Sequence, residues 1–183
     1  MYRDPEDGSV YPLAKPRWRS DAGRPLWIEP GPGIQRSDVD ASTRSLWRYR
    51  AALPVDIPNP ISLGEGLTPL VNIAWLQHAS PSFKLDLLNP TGSFKDRGSS
   101  VMVSYLRAHG VNSIVADSSG NGGASIAGYG AAGGFDVQII APASTTTEKI
   151  AQVRAFGAAV QLVEGHREAS QEEAIRQAHG EVF

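Results

Sequence analysis

The chain has 183 residues, 41% hydrophobic and 20% charged, with 19 Gly, 13 Pro and no Cys, which is the composition of one globular domain or slightly more and excludes a disordered, collagenous or disulfide-built chain. Its formal charge of −2 leaves no surplus of cations to hold a polyanion by counterion release, so nucleic acid is disfavoured as a partner. No apolar run approaches the roughly 20 residues that span a bilayer, and the polar, proline-containing start MYRDPEDGSVYPLAKPRWRS lacks the apolar centre of a signal peptide, which points to the cytoplasm and away from a membrane.

Without Cys there are no disulfides, thiol catalysis or thiolate metal sites. His78, His109, His166 and His179 show no HxxxH or HExxH spacing, so no metal site is expected. Chemistry is left to Lys, Ser, Thr, acids or a bound cofactor.

Nine of the 13 prolines lie in the first 60 residues, where apolar periodicity is poor. Residues 1–80 therefore read as an extended arm wrapped over a body. It has docking pieces at Pro25-Leu26-Trp27-Ile28 and a short helix around Thr43–Tyr49, neither able to form a core alone. Trp27, Trp47 and Trp75 are expected to be partly exposed. From Ser82 the texture changes. Phe83–Asp86, Ser113–Ala116, Val137–Ile140 and Val160–Val163 read as four short strands, each followed by a helical segment. Strand and helix alternating at this spacing require right-handed crossovers. The fold class is therefore α/β, a three-layer α/β/α arrangement with a parallel sheet of about four strands over residues 81–183.

Helix boundaries are marked in the same stretch. Thr145-Thr-Thr-Glu148 and Ser170-Gln-Glu-Glu173 have the form of capping boxes. Gly110, Gly157 and Gly180 fall where a left-handed residue ends a helix. Ile150, Val153 and Phe156 give the segment after Glu148 an apolar stripe. Glu181-Val182-Phe183 then stands where the next strand is due, which reads as a fragment of a longer protein.

Two loops between strand and helix carry the candidate chemistry. In Asn89-Pro-Thr-Gly-Ser-Phe-Lys-Asp-Arg-Gly98, Lys95 falls in the first helical turn, where the positive end of the macrodipole disfavours an ammonium and frees the amine as a nucleophile. A helix capped by Thr91 or Ser93 with a solvated surface lysine is the plain alternative. In Asp117-Ser-Ser-Gly-Asn-Gly-Gly-Ala-Ser125, small residues let backbone N–H groups converge on a carboxylate or phosphate. An unliganded tight turn is the alternative there. Gly120 to Gly134 include seven glycines, a poor helix by propensity that close backbone approach would explain. Gly120-Asn-Gly122 starts a dinucleotide fingerprint, but Ser125 takes the third Gly position and no acid follows the next strand, so NAD is disfavoured. An amine facing an anion-binding turn suits an amino-acid substrate joined to a carbonyl cofactor.

Pro90-Thr-Gly-Ser-Phe-Lys-Asp-Arg-Gly98 resembles the pyridoxal-phosphate lysine motif of the fold-type II enzymes, the tryptophan synthase β-like family, and Ser118-Ser-Gly-Asn-Gly122 resembles their substrate-carboxylate loop. Within that family Ser62-Leu-Gly-Glu-Gly-Leu-Thr-Pro-Leu70, Leu46-Trp-Arg-Tyr-Arg50 and the Asp after Lys95 are most similar to the threonine synthases. The resemblance implies pyridoxal 5′-phosphate as cofactor and Lys95 as the lysine that holds it and moves protons. It further implies Phe94 against the pyridine ring and Asn121 on the cofactor 3′-oxygen, with Ser118, Ser119, Gly120 and Asn121 on the substrate carboxylate. The implied reaction is O-phospho-L-homoserine plus water giving L-threonine and phosphate. A serine/threonine dehydratase, a cysteate synthase or a non-catalytic binding module are the alternatives. A small-molecule amino acid would be the partner, with a homodimer in a full-length enzyme. Residues 1–80 would belong to the large domain and 81–183 to the small one. The second half of the enzyme, which grips the cofactor phosphate, would be absent, and this chain inactive alone.

Overall fold

The computed structural model describes residues 1–74 and 80–178; Trp75, His78, His179, Gly180 and Glu181-Val182-Phe183 lie outside them. The first 60 residues hold three two-residue strands, β1 (Tyr2–Arg3), β2 (Val10–Tyr11) and β3 (Trp27–Ile28), paired antiparallel in the order β2-β1-β3. They are followed by 3₁₀ turns at Arg36–Asp38 and Leu46–Ala52. This arm is pinned to the body. Tyr2, Trp47 and Ile57 are buried in one apolar cluster with Val103, Leu106, Ile114, Tyr129 and Ile139. Trp47, expected to be partly exposed, is 4% exposed because its indole N–H reaches inward to Ser100 Oγ at 2.8 Å. Trp27 is 65% exposed.

Next come β4 (Leu70–Asn72) and β5 (Ser82–Lys84), an antiparallel pair in register Leu70↔Lys84. This corrects the expectation that Phe83–Asp86 opens the parallel sheet. An antiparallel partner needs only a short return, which Leu70–Asn72 supplies locally, whereas a parallel one needs a full crossover. Asp86 instead begins a 3₁₀ turn, Asp86–Leu88. The body then alternates α1 (Lys95–Ala108), β6 (Ser113–Asp117), α2 (Asn121–Gly133), β7 (Asp136–Pro142), α3 (Thr147–Ala155), β8 (Ala159–Val163) and α4 (Arg167–Gln177). The parallel sheet has three strands, in the order β6-β7-β8.

Side chains on β7 assign the layers. Val137 and Ile139 face α2, where a Cβ added to Gly130 would stand 2.3 Å from Val137 and one added to Gly123 3.2 Å from Ile139. Gln138 faces the other way. It bonds Gln161 at 2.8 Å, which in turn bonds Glu173 of α4 at 3.1 Å. Hence α2 covers one face of the sheet and α4 the other, a three-layer α/β/α body. The helix-ending glycines Gly110 and Gly157 have φ of 79° and 86°, the left-handed conformation that residue type permits. Ile150 and Val153 are buried. Neither capping box forms as spaced: Thr146 rather than Thr145 precedes α3, and Ser170 lies inside α4, which starts after His166. Ser170 is fully buried there, and its hydroxyl donates to Asp117 at 3.0 Å. Among the described residues no helix is long and apolar enough to cross a membrane.

Candidate active site

Two helices running side by side build the site. Ser125 Oγ of α2 donates to Asp96 Oδ1 of α1 at 2.6 Å. One turn further along, Ser100 and Tyr129 both donate to the carboxylate of Glu65, each at 2.7 Å. The pairs 96/125 and 100/129 keep the same offset, so α1 and α2 point the same way, with α2 beginning almost one turn before α1. Lys95 is then level with Ala124, and Asn121 sits three residues back, about 4.5 Å along the axis and one helix spacing of roughly 8–10 Å across.

Lys95 is the first residue of α1. The two residues that follow it in the helix are tied down while it is left exposed. Asp96, 0% exposed, accepts the Thr91 N–H at 2.7 Å and the Thr91 hydroxyl in addition to Ser125. Arg97 donates to Asp86 at 2.9 Å and to Thr68 at 3.2 Å. The Arg97 and Thr68 donors hold the Asp86 carboxyl at about 2, below its ordinary 3.8. Gln152 of α3 fastens the loop by donating to the Thr91 carbonyl at 2.9 Å. Ser93 Oγ accepts the Lys95 N–H at 3.3 Å, but the capping position of α1 is held by Phe94, whose side chain caps nothing, and not by Thr91 or Ser93. The Lys95 amine takes no hydrogen bond among the described residues and lies 4.9 Å from the centre of the Phe94 ring, itself 57% exposed. Lys84, in the preceding strand β5, donates to the Thr68 carbonyl.

The second loop leaves the carboxyl end of β6 directly into α2. Ser118 donates its N–H to the Ile140 carbonyl at 3.0 Å, and its Oγ accepts the Gly123 N–H at 2.8 Å. Its hydroxyl hydrogen is still available to donate. Since the first N–H groups of a helix have no partner within it, those of Asn121 and Gly122 open outward beside Ser119 and Gly120, at the positive end of α2. Asn121 is exposed. The glycines permit this closeness: a Cβ on Gly128 would stand 3.0 Å from Thr91 Cγ2, and Gly134 ends the helix at φ 71°.

The supporting shell was not read as such from the sequence, although Glu65, Asp96 and Arg97 lie in the motifs that carry the resemblance. Glu65, Asp86, Asp96, Arg97, Ser125 and Tyr129 form it. Glu65 is fully buried, and burial together with its bond to Glu65 pushes the Tyr129 hydroxyl far above its ordinary range. An acid between two glycines, Gly64-Glu65-Gly66, was the available signal. Gly66, at φ 95°, lies so close to Leu46 that a Cβ would stand 2.9 Å from its nitrogen.

The family model described as "Pyridoxal-phosphate dependent enzyme" matches residues 61–182. A threonine synthase of Methanosarcina acetivorans is 38% identical over 138 residues, 73% of this chain and 34% of the relative. One of Mycobacterium tuberculosis is 37% identical over 123 residues, 64% of this chain and 34% of its own length. The chain thus spans about a third of these curated relatives. Among solved structures, a hydrogen sulfide-producing enzyme from Fusobacterium nucleatum matches with TM-score 0.59 and 29% identity, covering 64% of this chain and 42% of that one. A cysteine synthase from Entamoeba histolytica matches with TM-score 0.59 and 28% identity, covering 64% and 40%.

Proposed function

The chain belongs to the pyridoxal-phosphate dependent enzyme family, with the fold-type II architecture and pyridoxal 5′-phosphate as its cofactor, and from that premise we propose that it carries the lysine and substrate-carboxylate half of a threonine synthase-like active site. The residues fit the group. An exposed, unbonded amine at a helix start, an exposed aromatic ring beside it and outward N–H groups one helix away are the donor set that a carbonyl cofactor and an amino acid need together. When bound, the cofactor supplies an electron sink for charge that develops on the substrate carbons.

In this reading Lys95 binds the cofactor and moves protons at the substrate carbons. Phe94 packs on the pyridine ring, and Asn121 donates to the 3′-oxygen. Ser118, Ser119, Gly120 and Asn121 orient the substrate carboxylate. The reaction is O-phospho-L-homoserine plus water giving L-threonine and phosphate. The observation that carries it is the side-by-side pairing of the starts of α1 and α2 through Asp96 and Ser125; the names of the curated relatives favour threonine synthase over the other chemistries of the fold. The likeness to a cysteine synthase structure favours a second reading, a β-replacement or dehydratase enzyme.

Two experiments test this. The chain incubated with pyridoxal phosphate and reduced with borohydride should carry its adduct on Lys95 in preference to Lys15, Lys84 and Lys149, the other lysines of the sequence; an adduct concentrated on Lys84 overturns the assignment. In an enzyme containing this chain, phosphate release from O-phospho-L-homoserine supports the first reading, and ammonia release from L-threonine without it supports the second.

A further inference from the structure

Asp96 has an environment that the reading of Lys95 does not explain. It is a carboxylate with 0% exposure and no cation within ion-pairing distance among the described residues. It is held by three neutral donors: the Thr91 N–H at 2.7 Å, the Thr91 hydroxyl and the Ser125 hydroxyl at 2.6 Å. A buried charge is costly unless hydrogen bonds satisfy it, and structure alone would be served as well by an apolar residue packed between two helices. What the carboxylate adds is direction. One oxygen takes the donor from α2 and a donor from the lysine loop, and the other takes the loop backbone, so the loop and α2 are both tied to α1 through a single planar group.

We infer that Asp96 is the positioning residue that holds the Lys95 amine and the outward N–H groups of the α2 first turn at one fixed separation, acting through Ser125 and Thr91. This rests on the reading of Lys95 as the cofactor lysine. A ligand that touches both loops gains from both only if their separation matches its own length, and a misplacement of about 1 Å is enough to lose most of that gain. Asp96 sits one residue from the amine, and its α2 partner Ser125 lies one turn from Asn121. No other side-chain hydrogen bond among the described residues joins these two first turns directly.

The test compares the native chain with Asp96→Asn, Ser125→Ala and the double variant. Each is incubated with pyridoxal phosphate, reduced with borohydride and mapped by peptide mass. The readout is the ratio of Lys95 to Lys149 adduct within one sample, which cancels dose and bulk unfolding. Melting curves are recorded in parallel. Positioning predicts a drop of about tenfold in the ratio for each single variant, in the range of one hydrogen bond to a charged group. It predicts no further drop in the double variant, since both changes break the same link. A purely electrostatic role of the Asp96 charge leaves the ratio in Ser125→Ala unchanged, since that variant keeps the carboxylate. Ser125→Ala removes one oxygen from a helix already rich in small residues and decides the matter if Asp96→Asn fails to fold. An unchanged ratio in folded Ser125→Ala overturns the proposal. A native ratio near one removes the reading of Lys95 itself, and the positioning role with it.

Discussion

The residues that follow Lys95 are fastened by hydrogen bonds from two sides. Arg97 and Asp86 supply one of the two anchors, and their pairing is pH-sensitive in a definite direction. The folded Asp86 carboxyl lies at about 2 against an ordinary 3.8, so its contribution is complete above pH 4 and is lost as pH falls from about 4 to 2. Asp86→Asn should therefore lower stability at pH 7 by about 1 kcal/mol, the scale of a partly solvated pair, and flatten the acid side of the stability curve in that window. Unfolding by urea at pH 7, 4 and 2.5 measures it; equal losses at pH 7 and 2.5 would remove the ion pair as the cause. At this scale the sequence reveals what is exposed and chemically distinctive, Lys95, Phe94 and Asn121. It conceals Asp86, Asp96 and Glu65, because an acid looks the same in one dimension whether it faces water or accepts three buried donors. Only the pairing of residues distant in sequence, such as Ser125 with Asp96 or Tyr129 with Glu65, tells them apart.

For the elements, the glycines of α2 are the clearest case of tertiary structure overriding propensity. Their helix forms against intrinsic preference because it lies almost in contact with β7 and the lysine loop. Gly130→Ala places a Cβ 2.3 Å from Val137 Cγ2, a clash with a stiff, buried side chain, and should cost about 1–3 kcal/mol. Gly98→Ala in α1 meets nothing within 4 Å and should raise stability by up to about 1 kcal/mol through helix propensity alone. Melting temperatures that move in opposite directions bear out the argument; a stabilised Gly130→Ala would show that α2 is not held against the sheet as described. The close approach was legible from the density of glycines. The capping boxes misled by a residue or more, since Ser170 fits the pattern but is drawn into α4 by Asp117, a partner far upstream. The strand at Ser82–Lys84 misled for a related reason: its composition suits either pairing, and the nearby Leu70–Asn72 offered the shorter route.

At the scale of the molecule, the α/β class followed from strand and helix alternation, but the closeness of the arm did not, because Tyr2, Trp47 and Ile57 enter the core singly rather than as a periodic face. The same whole-chain view bounds what this polypeptide does unaided. Pyridoxal phosphate and an amino acid bring two anionic groups, a dianionic phosphate and a carboxylate. In the site as described, only the α2 first turn presents outward backbone donors, and the proposed function already assigns these to the carboxylate. Charge-assisted hydrogen bonds contribute roughly 1.5–3 kcal/mol each, so a phosphate left in water weakens cofactor binding by orders of magnitude. The Phe94 ring beside the lysine is more than half exposed, so it offers the cofactor ring a single open apolar face. The 183-residue chain should therefore take up pyridoxal phosphate only at roughly millimolar concentration, since one anion-binding turn must serve either ligand group. Added acetate or inorganic phosphate should compete for it, and no phosphate should be released from O-phospho-L-homoserine. Absorbance titration and a phosphate assay on the purified chain check this. Stoichiometric uptake at micromolar concentration with enzyme-like phosphate release would show that these residues already hold a complete phosphate cradle, and that the α2 turn is not the single anion site on this face.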